Sequence, residues 1–550
     1  MFRKSGFAAL VAGLLCSTAA YSEDPVKEEY LENEHMEYVP FVPADAGGAP
    51  SLQSQSSAHV LLSFDGVSQY DVASVARNFI PPDTMGAVGK TQYLEMVNGG
   101  VGVFDKATGN RLSFTSDLAF WASAGQTGAN GDSRVMYDKA ADRWVALSFG
   151  ASVSDIQIAV SDTSDALGSW KSTKFTGYAG GTADYPTLAL DTNAVYIGTN
   201  NYNAAGNFRG TTLNVIPLAS LVNALAPTTA GMVSFNTPYV PGNPANDYTR
   251  GFAIQGVNSS DNSTTGHILA VSLITADINS YDVLNAGHPG ATRTGSVFVG
   301  TADYDGNGPG RQPNLVPDSG STASFPNNDR VIDTLDDRIG SSVYEVNGKI
   351  YSVHTVTPSG TDYTVVRWSI IDAATHTLLS EGDIGDATHD YYQGSLAVNS
   401  VGQVVIAYDR SGYGIDGNIT FAARTFNTVG NALVQKGSET ILRVSLVDDY
   451  HNGSLDGQIA LGRQRWGDYS AVSLDPTDSS KFWVIGEYAR EYNDAAGGHP
   501  GGSGGSRWGT WIAELDSRAV PEPSAWMTML AGFAFVGYAM RRHRVVISVA

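Results

Sequence analysis

Asp83-Thr84-Met85-Gly86-Ala87-Val88 is followed, after a short polar turn, by Tyr93-Leu94-Glu95-Met96-Val97. A small or polar lead-in, a short apolar run, a turn and a second run rich in β-formers describe two antiparallel strands. The arrangement recurs at Ser133-Arg134-Val135-Met136-Tyr137-Asp138 before Trp144 to Leu147, and at Tyr185-Pro186-Thr187-Leu188-Ala189-Leu190 before Val195 to Ile197. It returns at Ile339 to Tyr344 before Lys349 to Val353, at Gln393 to Val398 before Val404 to Tyr408, and at Tyr469 to Asp475 before Phe482 to Ile485. With residues 83, 132, 184, 337, 392 and 468 as markers, the spacings are 49, 52, 153, 55 and 76. The long interval is about three ordinary ones and hides further units, one of them around Asp247-Tyr248-Thr249-Arg250 with the run Phe252 to Val257. Units of about 40 to 50 residues are the size of a four-stranded propeller blade.

The spacing therefore predicts an all-β chain whose body, residues 59–516, is a β-propeller of seven blades, within a range of six to eight. A pair of β-sandwiches is the alternative, but does not predict one turn chemistry repeated over some 400 residues. A single short helix is expected on a surface insertion, from Leu218, Leu221, Val222 and Leu225 at three-and-four spacing.

Composition limits the function classes. The 550 residues carry 33 Lys and Arg against 55 Asp and Glu, a formal charge of -22. A nucleic acid would be repelled, so none is expected as a partner. Cys16 is the only cysteine, and it lies in a stretch with the order of a secretory signal peptide: Arg3 and Lys4, an apolar run from Gly6 to Leu15, then small residues. Residues 1–22 are assigned to that signal, with cleavage after Ala20 and lipidation of Cys16 as alternatives. Residues 23–58, acidic and then rich in Pro, Ser and Gln, read as a solvated linker.

The other end carries the most specific motif. Val520-Pro521-Glu522-Pro523-Ser524 precedes an uncharged stretch, 526–540, and then the basic stop at 541–544 with Arg541, Arg542 and Arg544. Fifteen residues rise only ~22 Å as a helix, which is short for a permanent span, and the arginines would hold its end on the cytoplasmic side. Residues 517–550 closely resemble the PEP-CTERM sorting signal of Gram-negative bacteria. The resemblance implies an exosortase-type sorting enzyme as partner, passage through the inner membrane with transient anchoring by 526–540, a final place on the cell surface or outside it, and association with exopolysaccharide. Pro81-Pro82-Asp83-Thr84-Met85-Gly86-Ala87-Val88-Gly89 and Arg465-Trp466-Gly467-Asp468-Tyr469-Ser470-Ala471 resemble phrases of a group of secreted bacterial proteins predicted to be propellers. That likeness implies architecture and export, with no chemistry.

Catalytic motifs are scarce. Gly501-Gly502-Ser503-Gly504-Gly505 matches a serine elbow by letters but has no apolar strand before it, and no His-Glu-x-x-His, Walker loop or cysteine pair is present. Thr163 to Trp170 is similar to the Asp-box turn of sialidase propellers, where the Asp bonds turn amides and the Trp packs; this implies a blade rather than an activity. A sialidase would need three arginines on a carboxylate and a tyrosine nucleophile. Arg134, Arg338 and Arg465, with Tyr185 and Tyr469, stand at matching places in the units. The plainer reading pairs those arginines with Asp132, Asp337 and Asp468. His354, His389 and His451 stand apart and read as loop or strand residues. Asp303, Asp305 and Asn307 match the first half of a calcium loop, although position twelve is Asn314 where Glu is required. No cofactor is expected beyond calcium there. The expected function is a non-enzymatic glycan- or protein-binding propeller; the alternatives are a sialidase-like or other glycoside hydrolase and a structural surface-layer component.

Overall fold

The computed structural model describes residues 59–75, 79–238, 251–272, 276–305, 308–313, 331–413, 416–448, 450, 463–492 and 506–518. The signal peptide, the linker, the sorting motif Val520 to Ser524, the span 526–540 and Arg541, Arg542 and Arg544 lie outside them. Among the described residues no helix is long and apolar enough to cross a membrane.

The fold is an all-β propeller. Strands follow one another as antiparallel meanders: Met85–Val88, Gln92–Val97, Gly100–Asp105 and Arg111–Ser116 form one sheet, and Arg134–Asp138, Arg143–Phe149, Asp155–Ser161 and Trp170–Thr176 the next. First strands lie side by side around the ring, with Met85–Val88 flanked by Arg134–Asp138 and by Ala471–Leu474. Inner and middle strands are covered on both faces, as in Trp144 to Phe149, where every residue is buried. This is why they read as continuous apolar runs rather than as alternating ones. Outer strands such as Trp170–Thr176 alternate between cover and solvent.

The last sheet closes the ring with the other end of the chain. His59–Ser68 pairs antiparallel with Ser506–Asp516, which pairs with Lys481–Tyr492 and through it with Ala471–Leu474. Trp483 of this closing sheet is wholly buried and stacks on Tyr93 of the first sheet, centroids 5.5 Å apart.

The blade count differs from the expected seven. Among the described residues five blades, of four or five strands, stand as separate sheets; the remaining strands form one ten-stranded sheet and a parallel pair, Val331–Asp333 with Arg463–Arg465. In the ten-stranded sheet two meanders, opened by Phe252–Asn258 and Val343–Val346, are joined by parallel pairing of Val257 with Val343 and Asn258 with Tyr344. The Asn258 side chain donates to the Val343 carbonyl at 2.9 Å, which draws the two inner strands into ladder distance. The helix expected at Leu218 to Leu225 is also absent: the segment is a series of turns. Leu218, Leu221 and Val222 are buried there against Val195 and Ile197, while Leu225 points to solvent. Among the described residues two short helices form instead, Gln69–Ser74 and Asp117–Ser123. Ser68 and Asp71 make a reciprocal capping box on the first, and the Ser116 side chain caps the second.

Because Trp483 bridges the first and closing sheets, Trp483→Ala should cost about 3 to 5 kcal/mol in urea denaturation. A loss below about 1 kcal/mol would show that ring closure does not depend on this contact.

Candidate functional site

The repeated lead-ins meet at the centre of the ring. Five of the six markers lie within two residues of a non-glycine residue in the left-handed region: Asp83, Asp132, Tyr185, Leu335 and Gln393. Each such residue costs about 1 kcal/mol or more, so the surrounding bonds must hold it. The Asp83 carboxylate accepts from the Asp468 amide at 2.8 Å and from the Asn98 side chain at 2.7 Å. Asn98 in turn accepts from the Asp132 amide at 2.9 Å. Gly131 is required beside it, since its φ is +79° and a Cβ would come within 2.6 Å of the Asn98 carbonyl oxygen. The Tyr469 hydroxyl donates to Asp132 at 3.0 Å.

The residues singled out for a sialidase constellation do come together, but they are engaged with one another. Arg134 lies over the Tyr469 ring at 3.5 Å and donates to the carbonyls of Pro186 and Gly340 at 3.1 and 3.2 Å. Arg338 lies over Tyr185 at 4.3 Å and grips Asp336 through two bonds of 2.6 and 2.7 Å. Arg465 donates to Asp468 at 3.1 Å. The Tyr185 hydroxyl donates to the Asp468 carbonyl at 3.2 Å. Of the carboxylates proposed as their partners, Asp468 serves Arg465, whereas Asp336 rather than Asp337 holds Arg338.

Beside this cluster opens a small cleft of about 20 Å3, room for about one water molecule, lined among others by Asp336, Arg338, His354, Gln393, Asp468 and Ser470. Asp337 turns away from it and accepts from the Tyr304 hydroxyl at 2.7 Å; burial raises its carboxyl to about 6. His354 donates from Nδ1 to the Asp337 carbonyl at 2.9 Å, and burial first, then the Arg367 charge, lower its imidazole to about 4. His389 opens the strand His389–Val398 and is bonded to Asp386 and Thr388. His451 and Gly501 to Gly505 lie outside the described residues.

Tyr304–Asp305 is a two-residue strand paired with Thr357 and Pro358, the Asp305 side chain accepts from the Ser359 hydroxyl at 3.2 Å, and Asn307 lies outside the described residues. Among the described residues no group of three or more His, Cys, Asp or Glu side chains is placed to hold a metal. The segment resembling an Asp-box is a turn between strands: Asp165 accepts from the Leu167 amide at 3.0 Å, and Trp170 packs edge-on against Phe120. A His-Asp-His cluster that sequence reading missed ties the two meanders of the ten-stranded sheet. His267 and His376 meet Asp282 at 2.7 and 3.2 Å, and their bonds outweigh burial and lower its carboxyl to about 2.

Further carboxyls are buried near the axis. Burial raises Asp409 to about 8 although Trp466 donates to it at 3.0 Å. Burial, then repulsion from Asp409, raises Glu487 well above the carboxylate range. Asp83 and Asp132 are raised likewise by burial and then by neighbouring aspartates. Burial disfavours their charged forms, and each added negative charge would repel its neighbours.

No family model matches the chain, and no curated protein is matched by it. Among solved structures it is similar to extracellular domains 1-2 of Drosophila semaphorin 1b, at 9% identity over 84% of this chain and 87% of that one, with a TM-score of 0.34. It is also similar to a protein of unknown function from Dyadobacter fermentans, at 11% over 83% and 99%, TM-score 0.37, and to the Dos1 propeller, at 10% over 84% and 96%, TM-score 0.38. These overlaps are loose, and the propeller assignment rests on the sheet order.

An acid whose folded pKa exceeds its unfolded value of about 4 keeps its proton on folding, so its contribution is full below pH ~4 and is lost as pH rises towards the folded value. The urea midpoint should therefore fall between pH 5 and pH 8. Asp409→Asn should flatten that fall, gaining about 4 kcal/mol on wild type between the two pH values. Parallel pH profiles of variant and wild type would contradict the assignment.

Proposed function

We propose that the chain is an exported binding propeller of the cell surface or extracellular matrix, which binds a glycan or protein and performs no hydrolysis. The observation that carries this reading is the mutual engagement of the charged groups around the axial cleft. A glycosidase needs an acid and a second carboxylate at a set separation and free to act on the bond, but Asp336 is clamped by Arg338 and Asp468 is held by Arg465. A sialidase needs arginines that can clasp a carboxylate, whereas Arg134 donates from Nε and Nη1 to carbonyls and lays its face on Tyr469.

The address comes from the two ends of the sequence. A signal peptide followed by a PEP-CTERM-like tail supports export, handling by an exosortase-type enzyme at the inner membrane, and residence with exopolysaccharide. The acidic surface charge keeps such a protein soluble in a hydrated matrix. The reading calls for no cofactor.

The purified protein should sediment with isolated exopolysaccharide of the producing organism and generate no new reducing ends over time, with calcium or with chelator. A steady rise in reducing ends would make it a hydrolase. Ordered self-assembly without retention on the polymer would make it a structural surface component.

A further inference from the structure

We propose that, while the stretch 526–540 anchors the chain, the propeller body rests on the same lipid bilayer through its turns at 399–402 and 428–430, with Val401 and Val429 entering the lipid surface. The proposal rests on the reading of 526–540 as the membrane segment of an exported chain. Val401 and Val429 are 75% and 60% exposed, more than any other large apolar residue among those described except Leu225. They stand together, because the Thr428 amide donates to the Gly402 carbonyl at 2.7 Å and so joins the two turns. Scattered exposed valines need no explanation. What distinguishes this pair is its place beside the point where the chain leaves the fold.

Ser517 and Arg518 are the last described residues. The Ser517 hydroxyl donates to Gln403 Oε1 at 2.9 Å and its amide to the Ser480 carbonyl at 2.8 Å, while Lys436 donates to its carbonyl. Asn399 in turn donates to the Ser479 carbonyl at 2.8 Å. The exit is thus fixed against the turn that carries Val401. Seven residues, 519–525, separate Arg518 from Trp526, and fully extended they let the two stand at most about 29 Å apart. His59 pairs with Asp516, so the N-terminal stretch arrives at the same place. A membrane that holds 526–540 therefore lies next to this rim, and the short tether makes the contact intramolecular. Two valines are too few to recruit a free protein of charge -22. They can orient one that is already anchored.

The rim is also spared the acidity of other turns. At the matching place the second and third sheets carry Asp138 with Asp142, and Asp191, whereas this turn reads Asn399-Ser400-Val401-Gly402. Lys349 donates to the Gly430 carbonyl, and Arg518 pairs with Asp516 and stands 3.8 Å from Asp478. Lys349, Lys436 and Arg518 are thus placed at the edge of the apolar spot, where they can meet lipid phosphates.

The test uses the full chain with Cys16→Ser, reconstituted into vesicles of phosphatidylethanolamine and phosphatidylglycerol, with a fluorescent probe placed singly at Val401→Cys, Val429→Cys or Leu225→Cys. Leu225 is the reference, since it is exposed and apolar but belongs to the third sheet, between Phe208–Pro217 and Val233–Pro238. Brominated lipid chains should quench the probes at 401 and 429 at least about threefold more than the probe at 225. Equal quenching at all three, or none at 401 and 429 in chains that float with the vesicles, would overturn the proposal and leave the membrane reading of the tail standing. Chains that do not float with the vesicles would remove both together. Should a cysteine variant fail to fold, hydrogen exchange of the chain without probes decides: the backbone at 399–402 and 428–430 should slow at least about threefold on vesicles while that at 223–226 does not. Unaltered exchange there would overturn the proposal. Protection that persists in detergent and grows with protein concentration would assign these turns to a second copy of the chain, which also overturns it.

Discussion

The bond from the Asp468 amide to the Asp83 carboxylate joins positions 385 residues apart and fixes the place where the propeller must close. Around it the blade-opening segments hold one another: Asn98 links Asp83 to the Asp132 amide, Tyr469 reaches Asp132, and Arg134 and Arg338 stack on Tyr469 and Tyr185. Pairing of His59–Ser68 with Ser506–Asp516 closes the ring at its rim, but it is the axial bonds that set how the first strands meet. Buried charge is a costly way to gain stability and a good way to specify one arrangement. Several of these side chains have partners on other blades, Arg134 on the Pro186 and Gly340 carbonyls and Asp83 on the Asp468 amide, so a slipped blade would leave them buried and unsatisfied.

The same constraint shapes the chemistry. Arg338 and Arg465 hold Asp336 and Asp468 at the centre, and burial raises the acids Asp83, Asp132, Asp409 and Glu487 there. What the centre leaves open is a small polar hollow to one side, between the segments at 334–340, 354–355, 393–394 and 468–470.

Much of the fold is legible because the central contacts repeat. Asp83, Asp132 and Gln393 recur at similar intervals since each blade must make the same left-handed step before its first strand, and the doubly covered strands announce themselves as Val, Ile, Tyr and Trp runs. The convergence of Arg134, Arg338, Tyr185 and Tyr469 could be anticipated from their matching places, but not that they would bind each other. Fusion of two meanders through Asn258 was illegible, because two parallel pairs depend on the distance between strands that no local pattern encodes. The apolar spacing of Leu218 to Leu225 misled for a physical reason: turns bury Leu218, Leu221 and Val222 just as a helix would. The helices that do form had readable caps in Ser68, Asp71 and Ser116. His354 gave no signal, since its character comes from the Asp337 carbonyl, 17 residues away in sequence.

The most direct test is native-state hydrogen exchange at the amides of Asp468 and Asp132, which donate to the Asp83 carboxylate and to Asn98. If the axial bonds are the constraint on which the ring depends, both amides exchange only through global unfolding and share the free energy measured by urea denaturation. Exchange at either one through a local opening several kcal/mol cheaper, with the strand amides of the blades still protected, would contradict that account.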